Sequence, residues 1–165
     1  MKKRLLSIAL IIAVSALLSN QDSFDIDHVE LQIELTSKEI KPIIKQPTEL
    51  ELIDALIQVE SRGNDSAIGD RHLVGNEAVG ALQIRPIMVR EVNRILKIQK
   101  SDKRFKLSDR WDREKTVEMF LIWKGYHHKD GDFEKIARTW NGGPKGHKSS
   151  RTEKYWLKVQ RELDI

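Results

Sequence analysis

The segment DALIQVESRGND, residues 54–65, carries an acidic side chain where a helix should be apolar. Leu50, Ile53, Leu56 and Ile57 recur at helical spacing and define one face. Glu60 follows Ile53 by seven residues, Leu56 by four and Ile57 by three, so it falls on the same stripe. A carboxyl carried into a helix interface loses water, which penalises its ionised form and raises its pKa. A carboxylic acid that stays protonated near neutral pH is what a general acid requires. The plainer alternative is that Glu60 ends its helix and points to solvent.

The elements that must position this residue read as helices. Thr48 to Glu51, TELE, has the form of a capping box, in which the Thr48 hydroxyl meets the Glu51 amide and the Glu51 side chain reaches back. The Gly-, Asn- and Asp-rich stretch SRGNDSAIGDRHLVGNEAVG then reads as a long loop. Pro86 suits the first position of a second helix, with Met88, Val92, Ile95 and Leu96 as its apolar face. A third helix is predicted from about Asp112 to His127, with Val117, Phe120, Leu121 and Trp123 available for burial. A fourth starts at Asp132, turns Phe133, Ile136, Ala137 and Trp140 to one side, and stops at NGGP. SRTE, from Ser150, reads as another capping box and opens a last helix through Tyr155, Trp156 and Val159. The expected fold class is therefore all-α, with at most a small strand element in the long loop.

Four short motifs occur in order along this frame: Glu60-Ser61, GALQIRP over 80–86, ARTWNGGPKG over 137–146, and RTEKYWLKV over 151–159. Together they resemble the catalytic domain of the soluble lytic transglycosylases, lysozyme-like enzymes that cut peptidoglycan glycan. The resemblance covers roughly residues 48–160. It implies a lysozyme-like α domain in which Glu60 is the single catalytic acid, later the base, protonating the glycosidic oxygen between N-acetylmuramic acid and N-acetylglucosamine. It also implies substrate-binding roles for Ser61, Gln83, Trp140, Asn141 and Tyr155. Gln83 would hold an N-acetyl group through an amide that both donates and accepts, or else cap the loop. Gly142 and Gly143 would let the chain approach the sugar, or simply end the helix. The Tyr155 hydroxyl could donate to Glu60, with a core tyrosine as the alternative.

The chain also departs from the family pattern. Trp140 stands where the family has tyrosine, and an indole N–H donates but does not accept. Ala81-Leu82 replaces Leu-Met, and the 23-residue separation of Glu60 from Gln83 is longer than in the best-known members. The surplus length falls in GDRHLVGNE, where the choice of mechanism lies. Most glycosidases use two carboxyls, roughly 5 to 9.5 Å apart. Lytic transglycosylases manage with one, because an internal hydroxyl of the substrate attacks. The related goose-type lysozymes recruit aspartates from this region to position water. Asp65, Asp70 and Glu77 are candidates for a second carboxylate here, and Asp70 is the first choice.

The rest of the chain sets the context. MKKRLLSIALIIAVSALLSN places Lys2, Lys3 and Arg4 before a 14-residue apolar run, Leu5 to Leu18. That is the layout of a secretory signal, shorter than the ~20 apolar residues of a spanning helix; an uncleaved anchor is the rival reading. The domain plan is a signal peptide over 1–19, an acidic leader over 20–47 and the enzyme domain over 48–165. In the leader, HVELQIELT alternates like one short strand. With no cysteine, disulfides, thiolate metal sites and a lipoprotein anchor are excluded. The expected location is periplasmic or extracellular.

Net charge is +4 overall, but residues 20–60 balance at −7 and residues 61–165 at +8. A basic body suits an anionic polymer such as cell-wall glycan. The basic stretch REVNRILKIQKSDKRFK leaves a nucleic-acid binder as a remote alternative, which export disfavours. Two nearer alternatives are a goose-type muramidase, which would be a hydrolase, and a lysozyme-like module that binds glycan without cutting it. No metal or cofactor is implied: His127 and His128 are adjacent, no HExxH occurs, and His72 and His147 read as surface residues in polar loops. Peptidoglycan strands are the expected partner, with membrane contact only through an uncleaved signal; the sequence is silent on oligomeric state.

Overall fold

The computed structural model describes residues 47–129 and 131–164. The signal and the strand expected in the leader lie outside the described residues. The observed elements are helix α1 (Glu49–Ser61), a two-stranded antiparallel ribbon β1 (Ile68–Gly69) and β2 (Ala78–Val79), and helices α2 (Pro86–Ile98), α3 (Arg113–His127), α4 (Phe133–Gly142) and α5 (Glu153–Leu163). Short 3-10 turns at Leu107–Trp111, Gly146–Lys148 and Ser150–Thr152 connect them. The fold is all-α apart from the ribbon, which pairs Ile68 with Val79 and Gly69 with Ala78 inside the long loop.

Local chemistry accounts for most helix ends. Thr48 caps α1 with a complete capping box, and Arg62 closes the helix in a left-handed conformation at φ 55°. Pro86 opens α2, where a missing N–H costs nothing. Asp112 and Asp132 cap α3 and α4 by accepting from Lys115 and Lys135. The box expected at Ser150 does not form. Residues 150–152 make a 3-10 turn and α5 begins at Glu153, with the Thr152 hydroxyl sharing its proton between the Gly146 carbonyl at 2.6 Å and the Ser149 carbonyl at 2.8 Å.

The core joins Leu52, Leu56 and Ile57 of α1 to Leu82 and Ile84 after the ribbon, Val92 of α2, Met119 and Phe120 of α3, Ile136 of α4 and Val159 of α5. Helix α1 packs on α5, α2 on α3, and α4 on both α5 and the 146–148 turn. Burial of these aliphatic and aromatic faces is the main stabilising term. The α1–α5 contact is the one that matters for Glu60, because it brings the end of α1 against Tyr155. No helix among the described residues is long and apolar enough to cross a membrane.

Candidate active site

Glu60 ends the apolar stripe of α1 and is partly buried against α5. Tyr155, in the first turn of α5 and 9% exposed, donates its hydroxyl to Glu60 Oε1 at 2.7 Å. Desolvation pushes the Glu60 pKa up to about 7, nearby Asp70 adds to the rise, and the Tyr155 hydrogen bond and the charge of Lys158 oppose it. Burial and the adjoining carboxyl also raise Tyr155 well above its ordinary value, so it remains a donor. The stripe position noticed in the sequence thus corresponds to a desolvated acid near half-protonation at neutral pH.

Glu60 opens into a cleft of about 780 Å³ that is also lined by Asp70, Gln83, Trp140 and Asn141. Ser61 is not among the lining residues; its hydroxyl donates back to the Ile57 carbonyl at 3.2 Å and finishes its own helix. Gln83 is committed to the loop through its NH2 group, which donates to the carbonyls of Gly80 at 2.9 Å and Ala67 at 3.3 Å. Only its amide oxygen remains to accept from a ligand, a narrower capacity than the sequence suggested. Trp140 stands edge-on to Phe120 and Trp123, at 5.1 Å from each ring, as an aromatic wall. Gly143 lines the cleft at φ +75°, whereas Gly142 serves packing: a Cβ there would meet the Thr152 methyl at 2.6 Å.

The three candidate second carboxyls separate cleanly. Asp65 pairs with Arg113 of α3 at 2.9 Å and ties the loop to that helix, and Glu77 accepts from the Gly75 amide at 3.0 Å within the loop. Asp70 faces the cleft with its side chain 42% exposed, 3.8 Å from Arg85. Asp70 and Gln83 both hold left-handed backbones, at φ 47° and 49°. Such a conformation costs non-glycine residues about 1 kcal/mol or more and collects at functional positions. The guanidinium of Arg110 fixes this loop from below, donating to the carbonyls of Glu77 and Ile84.

Sequence reasoning missed part of the cleft lining. Glu91 of α2 lines the cleft, where Arg94 grips both its oxygens at 2.7 Å and His127 Nε2 shares a 2.7 Å hydrogen bond with Oε1. The Arg94 contact, helped by His127, holds Glu91 down to about 2. The i, i+3 spacing of Glu91 and Arg94 was a readable signal; the approach of His127, from another helix, was not. His128 and His147 also line the cleft rather than the outer surface, correcting the surface reading of His147; His72 is exposed as expected. Among the described residues no group of three or more His, Cys, Asp or Glu is arranged to hold a metal ion.

These positions supply a carboxylic acid raised to about 7, a second carboxyl, Asp70, on the cleft-lining loop, and an aromatic wall. That set suits acid-assisted cleavage of an acetal. No protein-family model matches the chain and no curated protein sequence does. Among solved structures it is similar to a chain of the complex of Aeromonas hydrophila PliI with Meretrix lusoria lysozyme, at 19% identity over 70% of this chain and 89% of that one, TM-score 0.54. It is also similar to Tapes japonica lysozyme, at 30% identity over 67% of this chain and 87% of that one, TM-score 0.47. The fold of this domain is lysozyme-like.

Proposed function

We propose that this domain cleaves the glycan of peptidoglycan, as a muramidase-like glycosidase with Glu60 as general acid. The observation that carries this reading is the Tyr155–Glu60 hydrogen bond of 2.7 Å on an acid raised to about 7, open to a cleft. Protonated Glu60 delivers its proton to the glycosidic oxygen as the bond to the muramyl carbon breaks, leaving an oxocarbenium-like centre. The carboxylate of Asp70, which also lines the cleft, then accepts a proton from water as the water oxygen adds to that carbon. Asp70 favours hydrolysis because it alone of the three loop carboxyls lines the cleft. The basic balance of residues 61–165 suits an anionic wall polymer. Residues 1–19 would export the protein, and 20–47 would link the signal to the enzyme domain.

The second reading is a lytic transglycosylase, favoured by the order of the four motifs. There Glu60, once ionised, takes the proton of the muramyl 6-hydroxyl as that oxygen closes on the same carbon, and Asp70 is dispensable. Mass spectrometry of soluble fragments released from purified peptidoglycan, beside Glu60→Gln, separates the two. Reducing-ended fragments, lost in Glu60→Gln, establish the hydrolase; anhydro-ended fragments establish the lyase. Glycan binding without release by the unaltered protein would leave a non-catalytic binding module.

A further inference from the structure

Four polar atoms of the cleft-lining residues have no role in the acid chemistry. His128 Nδ1 and Nε2, Thr139 Oγ1 and His147 Nδ1 are closed to bulk solvent and have no hydrogen-bond partner, yet all three residues line the cleft. His128 is 9% exposed and Thr139 6%. They are neighbours in space. His128 lies 5.0 Å from the Trp123 ring and feels the charges of Lys135, His127, His147 and Asp132. The turn carrying His147 is pressed on α4 so closely that a Cβ on Gly146 would meet the Arg138 carbonyl at 2.0 Å and the Thr139 Cα at 3.2 Å. Buried polar groups are nearly always paired. A cluster left unpaired at a cleft wall fits a site whose partner arrives with the ligand.

We propose that His128, Thr139 and His147 form a second recognition subsite that takes a secondary amide of the peptide stem carried by the glycan. This rests on the peptidoglycan reading of the cleft. The chemistry follows from the groups. A neutral imidazole offers one donor and one acceptor, and a threonine hydroxyl offers both, matching the N–H and C=O of an amide. Burial and the surrounding Lys135, His127 and His147 favour the neutral ring of His128. A sugar acetamido group has the same amide chemistry. Lys135, a cation in the same wall, favours the stem peptide, which bears carboxylates beside its amides. Because the four atoms are sealed from solvent, binding includes a side-chain shift, most simply of the half-buried His147 on its short turn.

Calorimetry on the full chain bearing Glu60→Gln, which binds without turnover, tests the subsite with two glycans of equal length, one bearing stem peptides and one stripped of them. Thr139→Val keeps the shape and removes the hydroxyl, Thr139→Ser restores it, and His128→Phe removes both nitrogens. We expect Thr139→Val to weaken binding of the peptide-bearing glycan about tenfold, the effect of one buried hydrogen bond. His128→Phe should weaken it further, Thr139→Ser should recover it, and the stripped glycan should be unaffected. Equal losses on both glycans would overturn the stem-peptide assignment in favour of the sugar acetamido group. Unchanged affinity for both, in variants with unchanged Tm, would overturn the subsite and leave the atoms to internal water. Failure of the unaltered chain to bind either glycan would instead sink the peptidoglycan reading itself.

Discussion

Glu60 and Glu91 line one cleft, each partly buried, and their carboxyls move in opposite directions, up to about 7 and down to about 2. The difference comes from their neighbours. Glu60 sits on an apolar helix face, with one neutral donor in Tyr155 and a carboxylate, Asp70, close enough to repel its charge. Glu91 is clasped by a guanidinium through both oxygens and touched by an imidazole. Lining the same cleft does not decide protonation: desolvation dominates at Glu60, whereas the Arg94 hydrogen bonds override it at Glu91. One carboxyl thereby keeps its proton up to about pH 7, while the other stays an anion paired with Arg94 and His127.

The largest expected effect of breaking this contrast is at Glu60. Glu60→Gln removes the acid and should lower glycan cleavage by about 10²- to 10⁴-fold, read as release of soluble fragments. The same substitution should raise stability in alkaline solution. The native acid holds its proton to about pH 7, while the unfolded chain releases it near 4.5. The folded state therefore binds more protons between those values, and stability falls as pH rises through that window. Glu60→Gln escapes a loss of up to about 3 kcal/mol at pH 8, measurable as a higher denaturant midpoint there and little change at pH 4.

Asp70→Asn comes next. Removing the neighbouring charge should lower the Glu60 midpoint and, in a hydrolase, reduce turnover by about 10²-fold, whereas a transglycosylase would keep most of its rate. Tyr155→Phe removes the hydrogen bond that favours ionised Glu60, so the midpoint should move up. Turnover should fall about tenfold through lost orientation, checked by the alkaline limb of the pH–rate profile. Glu91→Gln should do least to the rate. Because the folded pKa of Glu91 is depressed, its stabilisation exists above about pH 4.5 and is lost as pH falls toward 2. The variant should lose the acid-limb slope of thermal stability over that range and leave the Glu60 midpoint in place.

What was legible in the sequence was whatever depends on near neighbours or on a periodic face. Thr48 with Glu51, Pro86, and Asp132 before α4 each declared a helix end through local hydrogen-bond chemistry. The stripe that placed Glu60 against the core follows from spacing alone. Tyr155 was foreseen as a donor to Glu60 through the resemblance, although the two lie 95 residues apart. The failures have two physical sources, long-range packing and, at Ser61, a competing local bond. Ser150 carries the pattern of a capping box, but Thr152 is drawn into a knot with Gly146, Ser149 and Arg138, and that long-range contact overrides the local signal. Ser61 lost its expected place in the cleft to a bond within its own turn. His127, His128 and His147 meet only because α3, α4 and the 146–148 turn pack together, and adjacency in sequence says nothing of that.

The most direct test is a carbon-detected NMR titration of the Glu60 carboxyl in the full chain, assigned by its disappearance in Glu60→Gln. A midpoint near 7, with the Glu91 signal still ionised at pH 4, is the expected result. A Glu60 midpoint near 4.5, at the ordinary glutamate value, would contradict the assignment of Glu60 as a proton donor at neutral pH.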